Sequence, residues 1–392
     1  MLTSLAFIFL LGLVLGSIFN KLKLPSLLGM IITGIILSPY AFNLLDSSIL
    51  GISSELRRVA LVIILTRAGL TLDIEDLKKV GRPAVLMCFV PACFEICGVI
   101  FIATHLLHIS VLDAAIMGSV IAAVSPAVVV PRMIQLIEEG YGRKHSIPQL
   151  ILAGSSVDDV FVIVIFTALT SLAAGGQVSA MSFVQVPISI VLGVIVGVVS
   201  GVLLLKIFQI LHMRDSVKVL IILSVSFLLL ACESKMENYI PMSGLLAIMA
   251  MGVTIYQKNR VLAKRLSVKY NKLWVAAEIL LFVLVGATVD IQYAIEAGIL
   301  AIILVVGALT IRMTGVFTCL IKTKLSMKER LFCMVAYTPK ATVQAAIGGL
   351  PLAMGLACGQ QVLTMAVLSI LITAPFGAIC MDHSYKKLLQ KD

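Results

Sequence analysis

The chain has 392 residues, 60% of them apolar and only 13% charged, with a mean hydropathy of +1.11. Soluble domains carry about 25% charged residues, so this composition excludes a soluble protein and indicates an all-α polytopic membrane protein. The net charge of +10 would suggest nucleic acid only if the basic residues gathered on one soluble surface.

Thirteen apolar segments follow one another, at about 2–19, 25–43, 55–72, 83–106, 111–131, 149–171, 184–206, 216–232, 241–256, 273–290, 294–320, 329–350 and 361–381. The first, Leu2 to Phe19, has the length of a signal peptide. It lacks a basic start and a small-residue cleavage site, which predicts a retained helix. The fourth segment carries Glu95. The fifth is interrupted at Ser125-Pro126, with Pro131 expected to close the interruption. The sixth carries Asp158 and Asp159, the eleventh Arg312, and the twelfth a second interruption at Thr338-Pro339 beside Lys340. The eight cysteines lie mostly within these segments without metal-site spacing, and are expected as small packing residues. No cofactor or resident metal is expected.

The connections between segments differ in charge. One alternate set holds Lys21 and Lys23; Lys78, Lys79 and Arg82; Arg132, Arg143 and Lys144; and Lys206, Arg214 and Lys218. It continues with Lys258, Arg260, Lys264, Arg265, Lys269 and Lys272; Lys322, Lys324, Lys328 and Arg330; and Lys386, Lys387 and Lys391. The opposite set holds Arg57, Arg58 and Lys235. The positive-inside rule places the N-terminus outside and the C-terminus in the cytoplasm of a cell membrane. Orientation thus accounts for the basic excess, and no nucleic-acid partner is expected.

Thirteen spans suggest six, a linker and six, the two sets running oppositely. Gly69-Leu70-Thr71-Leu72-Asp73-Ile74 corresponds to Gly286-Ala287-Thr288-Val289-Asp290-Ile291. Pro25 and Gly34 correspond to Pro241 and Gly252, and Ser125-Pro126 to Thr338-Pro339, all in order and at a nearly constant offset. Inverted repeats with interrupted helices are a signature of secondary transporters.

The charged residues inside these segments define the candidate site. From Gln149 to Asp159 a helix rises about 15 Å, half of a hydrocarbon core roughly 30 Å thick. Each carboxylate there costs on the order of 2.5–3.5 kcal/mol on insertion scales. Adjacent helical residues point about 100° apart, so one of Asp158 and Asp159 should line the ion path and the other meet a partner. Such a pair suits the exchange of a proton for a cation, with Ser125 and Ser155 able to add hydroxyl oxygens. Glu95 and Arg312 occupy equivalent places in the two repeats and are expected to form a buried ion pair. Prolines at Ser125-Pro126 and Thr338-Pro339 must break the helical hydrogen bonding, and Lys340 is placed to neutralise freed carbonyls. Arg67, near a segment end, can snorkel to the interface.

At these residues the chain resembles the monovalent cation:proton antiporter family, in its sodium/hydrogen antiporter branch with an Asp-Asp pair. The matching strings are Arg67-Ala68-Gly69-Leu70, Ala123-Val124-Ser125-Pro126-Ala127-Val128-Val129-Val130-Pro131, Gly154-Ser155-Ser156-Val157-Asp158-Asp159 and Thr338-Pro339-Lys340-Ala341-Thr342-Val343-Gln344-Ala345-Ala346. The resemblance implies a non-enzymatic antiporter exchanging Na+ or Li+ for H+, contributing to pH homeostasis. It implies a homodimer working by elevator-like alternating access, with Asp159 as principal carrier, Asp158 its neighbour and Na+ held by the two. It implies a scaffold of residues 1–82 and 216–293, a core of 83–172 and 294–382, a linker helix in 173–215 and a short tail, 383–392. Electrogenic bacterial relatives carry lysine where this chain has Arg312, which deprotonates far less readily. The rival readings are a K+/H+ antiporter of the same family, a sodium-coupled organic-anion symporter of similar build, and a channel. An intramembrane aspartyl protease needs its two acids on separate helices, which adjacent Asp158 and Asp159 do not supply.

Overall fold

A computed structural model describes residues 1–72, 81–174, 180–211, 213–236 and 242–391. Asp73, Ile74, Lys78, Lys79 and Pro241 lie outside the described residues. Every regular element among those described is a helix. They are α1 (Leu2–Lys21), α2 (Ser26–Leu37), α3 (Ser47–Gly51), α4 (Ser53–Gly69), α5 (Arg82–Met87) and α6 (Val90–Leu106). Next come α7 (Val111–Ile121), α8 (Pro126–Glu139), α9 (Ile147–Ala174), α10 (Ala180–Ile210), α11 (Asp215–Met236) and α12 (Gly244–Lys258). The last are α13 (Arg260–Ala287), α14 (Ile291–Cys319), α15 (Met327–Ala336), α16 (Thr342–Ile347), α17 (Leu350–Ala353) and α18 (Gly359–Leu388). Among the described residues, nine helical stretches are long and apolar enough to cross a membrane, accompanied by shorter apolar helices such as α2 and α12.

Local chemistry sets several boundaries. The Ser110 hydroxyl accepts from Asp113 N at 3.0 Å and starts α7. Ser326 and Glu329 form a reciprocal cap on α15, with Ser326 N donating to Glu329 Oε2 at 2.7 Å and Glu329 N to Ser326 Oγ at 3.3 Å. That exchange satisfies two of the amides a helix start leaves bare. Gly140, at φ +83°, ends α8 in the left-handed conformation that only glycine adopts without strain.

The chain divides into two compact units. One comprises Met1–Ser54, Glu75–Leu169 and Ile279–Asp392, the other Glu55–Ile74 and Thr170–Glu278. Within the first, α14 runs along α6, α1 along α2, and α18 packs on α7, α15 and α17. Here α2 also meets the end of α13 at a glycine pair. A Cβ on Gly34 would lie 2.0 Å from the Val283 carbonyl oxygen, and one on Gly286 2.2 Å from that of Ile31. Without a hydrophobic force between helices in lipid, such backbone contact supplies the packing energy. Within the second unit, α12 is embraced by α10 and α11.

Four local features depart from the sequence reading. The basic stretch before the tenth segment is no loop, because α13 runs unbroken from Arg260 to Ala287. Leu262, Leu266, Tyr270 and Trp274, all buried, recur at helical spacing, so this stretch has its own apolar stripe. The fourth segment is split at Cys88 and Phe89, just before Pro91, whose ring opposes helix continuation. The eleventh bends at Gly298, at φ +35° and ψ −121°. Pro131 does not close the fifth segment's interruption; it stands inside α8, while the break lies wholly before Pro126.

Valine at position 34 should drive α2 from α13. Gly34→Val is expected to destabilise the detergent-solubilised protein by about 2–3 kcal/mol, read as a lower melting temperature; an unchanged melt would show that the contact carries no load.

Candidate functional site

Two chain breaks meet inside the first unit. The first is residues 122–125, between α7 and α8; the second is residues 337–341, between α15 and α16. Pro126 and Pro339 cannot donate backbone hydrogen bonds, and each proline limits the residue before it to extended conformations. The two breaks touch directly, with Ser125 N donating to the Pro339 carbonyl at 2.7 Å.

A broken helix leaves carbonyls bare at a depth where water is absent, so side chains must serve them. Three do. Gln344 Nε2 donates to the carbonyls of Ala123 at 2.8 Å and Ile121 at 3.3 Å. Lys340 Nζ donates to that of Ala122 at 3.3 Å, and Arg312 Nη1 donates to the same oxygen. Arg312 also closes the second break, its Nε donating to the Tyr337 carbonyl at 3.0 Å while the guanidinium lies 5.5 Å from the Tyr337 ring centroid. The Lys340 amide is held by Thr373 Oγ1 of α18 at 2.9 Å.

The charges form one buried cluster. Arg312 is 0% exposed, and its two terminal nitrogens reach Glu95 Oε2 and Asp158 Oδ2, each at 2.9 Å. Glu95 Oε2 also accepts from Lys340 Nζ at 2.5 Å. Asp158 Oδ2 takes a further hydrogen bond from Val124 N at 2.8 Å, which ties α9 to the first break. The guanidinium thus spends its planar donors on four acceptors, two of them charged, a geometry an ammonium cannot copy.

The two aspartates differ sharply. Asp158 is fully buried and turned to Arg312. Asp159 is half-buried, and among the described residues it forms no ion pair with Arg312 or Lys340. The helical rotation between neighbours produces this division. Asp158 Oδ1, Asp159 Oδ1 and the Ser125 hydroxyl are buried oxygens with no hydrogen-bond partner among the described residues. Ser155, one turn before Asp158, is buried and donates within α9 to the Leu152 carbonyl at 3.2 Å. Thr338 Oγ1 donates to the Val335 carbonyl at 2.8 Å and so serves the end of α15.

The structure therefore brings together Glu95, Asp158, Arg312, Lys340, Ser125, Pro126, Thr338 and Pro339, and leaves Pro131 apart. Tyr337, Gln344 and Thr373 join the site without being singled out by the sequence pattern. Gln344, a large amide in an otherwise small and apolar run after a break, was the available signal. The other two act through a backbone carbonyl or a common hydroxyl, which leaves no mark in sequence.

Residues 5–381 match the family described as sodium/hydrogen exchanger, transmembrane. Human sodium/hydrogen exchanger 9B2 is 33% identical over 389 residues, covering 94% of this chain and 70% of that protein. Human sodium/hydrogen exchanger 9B1 is 31% identical over 389 residues, covering 94% and 73%. The solved sodium proton antiporter MjNhaP1 from Methanocaldococcus jannaschii, at pH 8, superposes with a TM-score of 0.85 over 98% of this chain and 97% of that one. Its 20% identity makes that a likeness of fold.

If Arg312 holds the cluster by shape as well as charge, Arg312→Lys should cost nearly as much stability as Arg312→Gln, about 3–5 kcal/mol. Thermal unfolding of the purified protein checks this; a lysine variant as stable as the parent would leave charge alone as the determinant.

Proposed function

The chain belongs to the sodium/hydrogen exchanger family, and we propose that Asp159, with Asp158 beside it, is where it trades Na+ (or Li+) for H+. One observation carries this reading. The buried cluster pairs two carboxylates, Glu95 and Asp158, with two cations, Arg312 and Lys340, and a third carboxylate, the half-buried Asp159, follows directly on α9. Glu95 and Asp158 are matched by those cations, and the charge left over falls on Asp159. A single negative charge at membrane depth needs one positive partner. Either a proton or one monovalent cation supplies it, and the two exclude each other.

Oxygen donors suit a hard monovalent cation. The partnerless oxygens Asp158 Oδ1, Asp159 Oδ1 and Ser125 Oγ supply them, and Ser155 contributes its position on the same face of α9. Arg312, Lys340 and Gln344 keep the crossing intact through the cycle. Arginine holds its proton under all physiological conditions, so the exchangeable charge is one per turnover and exchange is one for one. The likeness to antiporters supports alternating access by an elevator-like shift of residues 83–172 and 294–382 against 1–82 and 216–293, with a helix in 173–215 linking them, in a homodimer. The distribution of lysine and arginine supports a cytoplasmic C-terminus.

Reconstituted in proteoliposomes and followed by dequenching of a pH-sensitive dye, the protein should respond to Na+ and Li+. Asp159→Asn should fall to the signal of empty liposomes while remaining folded and monodisperse. Full activity in that variant would remove Asp159 as the carrier. A response to K+ equal to that for Na+ would redirect the substrate assignment. The Na+ response should be unaffected by an imposed voltage, and acceleration by voltage would overturn the one-for-one ratio.

A further inference from the structure

Away from the ion site, the second unit contains a cleft at the ends of its helices that carry basic residues. It has a volume of about 170 Å³ and is lined by Leu205, Phe208, Gln209, Lys218, Asn259, Val261, Leu262 and Arg265. Two helices begin beside it, α11 at Asp215 and α13 at Arg260. Each brings the partial positive charge of its first-turn amides. Leu262 N is capped by Asn259 Oδ1 at 3.0 Å, which leaves the Asn259 amide as a donor.

Lys218 is the second, independent sign of a ligand. It is only 8% exposed, yet it lines the cleft. Its ammonium stands 3.8 Å from Asp215 Oδ1, beyond hydrogen-bond range, and 5.6 Å from the Phe208 ring centroid. Asp215 is shared, since its Oδ2 lies 3.2 Å from Arg265 Nε. One carboxylate thus faces two cations and two helix starts, and the Lys218 ammonium, paired only at long range, opens onto the cleft. Two cations sharing one carboxylate leave the cleft with a net positive charge that an anion would match.

We infer that this cleft binds a phosphate-bearing anion between Lys218 and Arg265. The arginine fork fits tetrahedral phosphate oxygens and the lysine supplies a point charge. Asn259 and Gln209 add amide donors. Leu205, Phe208, Val261 and Leu262 form apolar walls that would receive the carbon skeleton of a phosphate ester. The volume exceeds what a halide fills and matches a phosphate with part of its ester group. Membrane phospholipid headgroups and soluble phosphates share this chemistry. The inference does not depend on the ion-exchange reading.

The test uses the full chain, purified in detergent and stripped of lipid, with melting temperature as the readout. Phosphatidylglycerol, phosphatidylcholine and inorganic phosphate are titrated separately. Phosphatidylglycerol should raise the melting temperature by about 3 °C near saturation, and Lys218→Gln should lose at least half of that rise. Arg265 is exposed, so Arg265→Gln should fold and serve as the second variant if Lys218→Gln does not. An equal rise with inorganic phosphate, lost in the same variants, supports the site and assigns it to a soluble anion. Equal stabilisation by phosphatidylcholine, a response unchanged in the variants, or no response to any anion would overturn the inference.

Discussion

A helix that stops inside hydrocarbon leaves its final carbonyls without partners, and this chain does so at residues 122–125. The answer is a set of donors drawn from the other half of the sequence. Gln344, Lys340 and Arg312 reach the carbonyls of Ile121, Ala122 and Ala123. Two of those donors are cations, and cations at that depth need carboxylates. Glu95 and Asp158 meet that need. The acidic cluster is thus tied to a backbone requirement: remove the break, and neither Arg312 nor Lys340 has a reason to be where it is.

From that requirement follows the unequal treatment of two identical side chains. Asp158 is bound by Arg312 and by Val124 N, so it belongs to the framework of the crossing. Asp159, one residue on, faces elsewhere and remains half-buried. Their chemistry is the same, and the helix turn alone separates an acid paired with Arg312 from one that pairs with neither cation of the cluster. Among the described residues each acid of the pair has one buried oxygen without a hydrogen-bond partner, Asp158 Oδ1 and Asp159 Oδ1.

Much of this was legible in the sequence because lipid makes simple demands. Apolar runs of spanning length mark the segments that lipid accommodates, while prolines and isolated charges within them carry a large energetic penalty, so each marks its place. Glu95, Arg312, Lys340 and the two interruptions were found that way. Other features were hidden for physical reasons. Dense charge from Arg260 to Lys272 suggested a loop, although Leu262, Leu266, Tyr270 and Trp274 already had a helical period. In sequence Pro131 marks the end of a break because proline opposes helices, yet a proline inside a membrane helix is tolerated when its surroundings satisfy the freed carbonyl. That Arg312 would join two acids at once depends on three elements converging, which no single segment records.

The hydrogen bond from Ser125 N to the Pro339 carbonyl has a mechanical corollary. It fastens one non-helical stretch to the other through main chain alone, so substitution of side chains cannot undo it. Neither stretch can unravel or re-coil by itself without stranding an amide or a carbonyl in a dry interior. Any working stroke that spares this rivet must carry both stretches together as one rigid cartridge, with the acids riding on it.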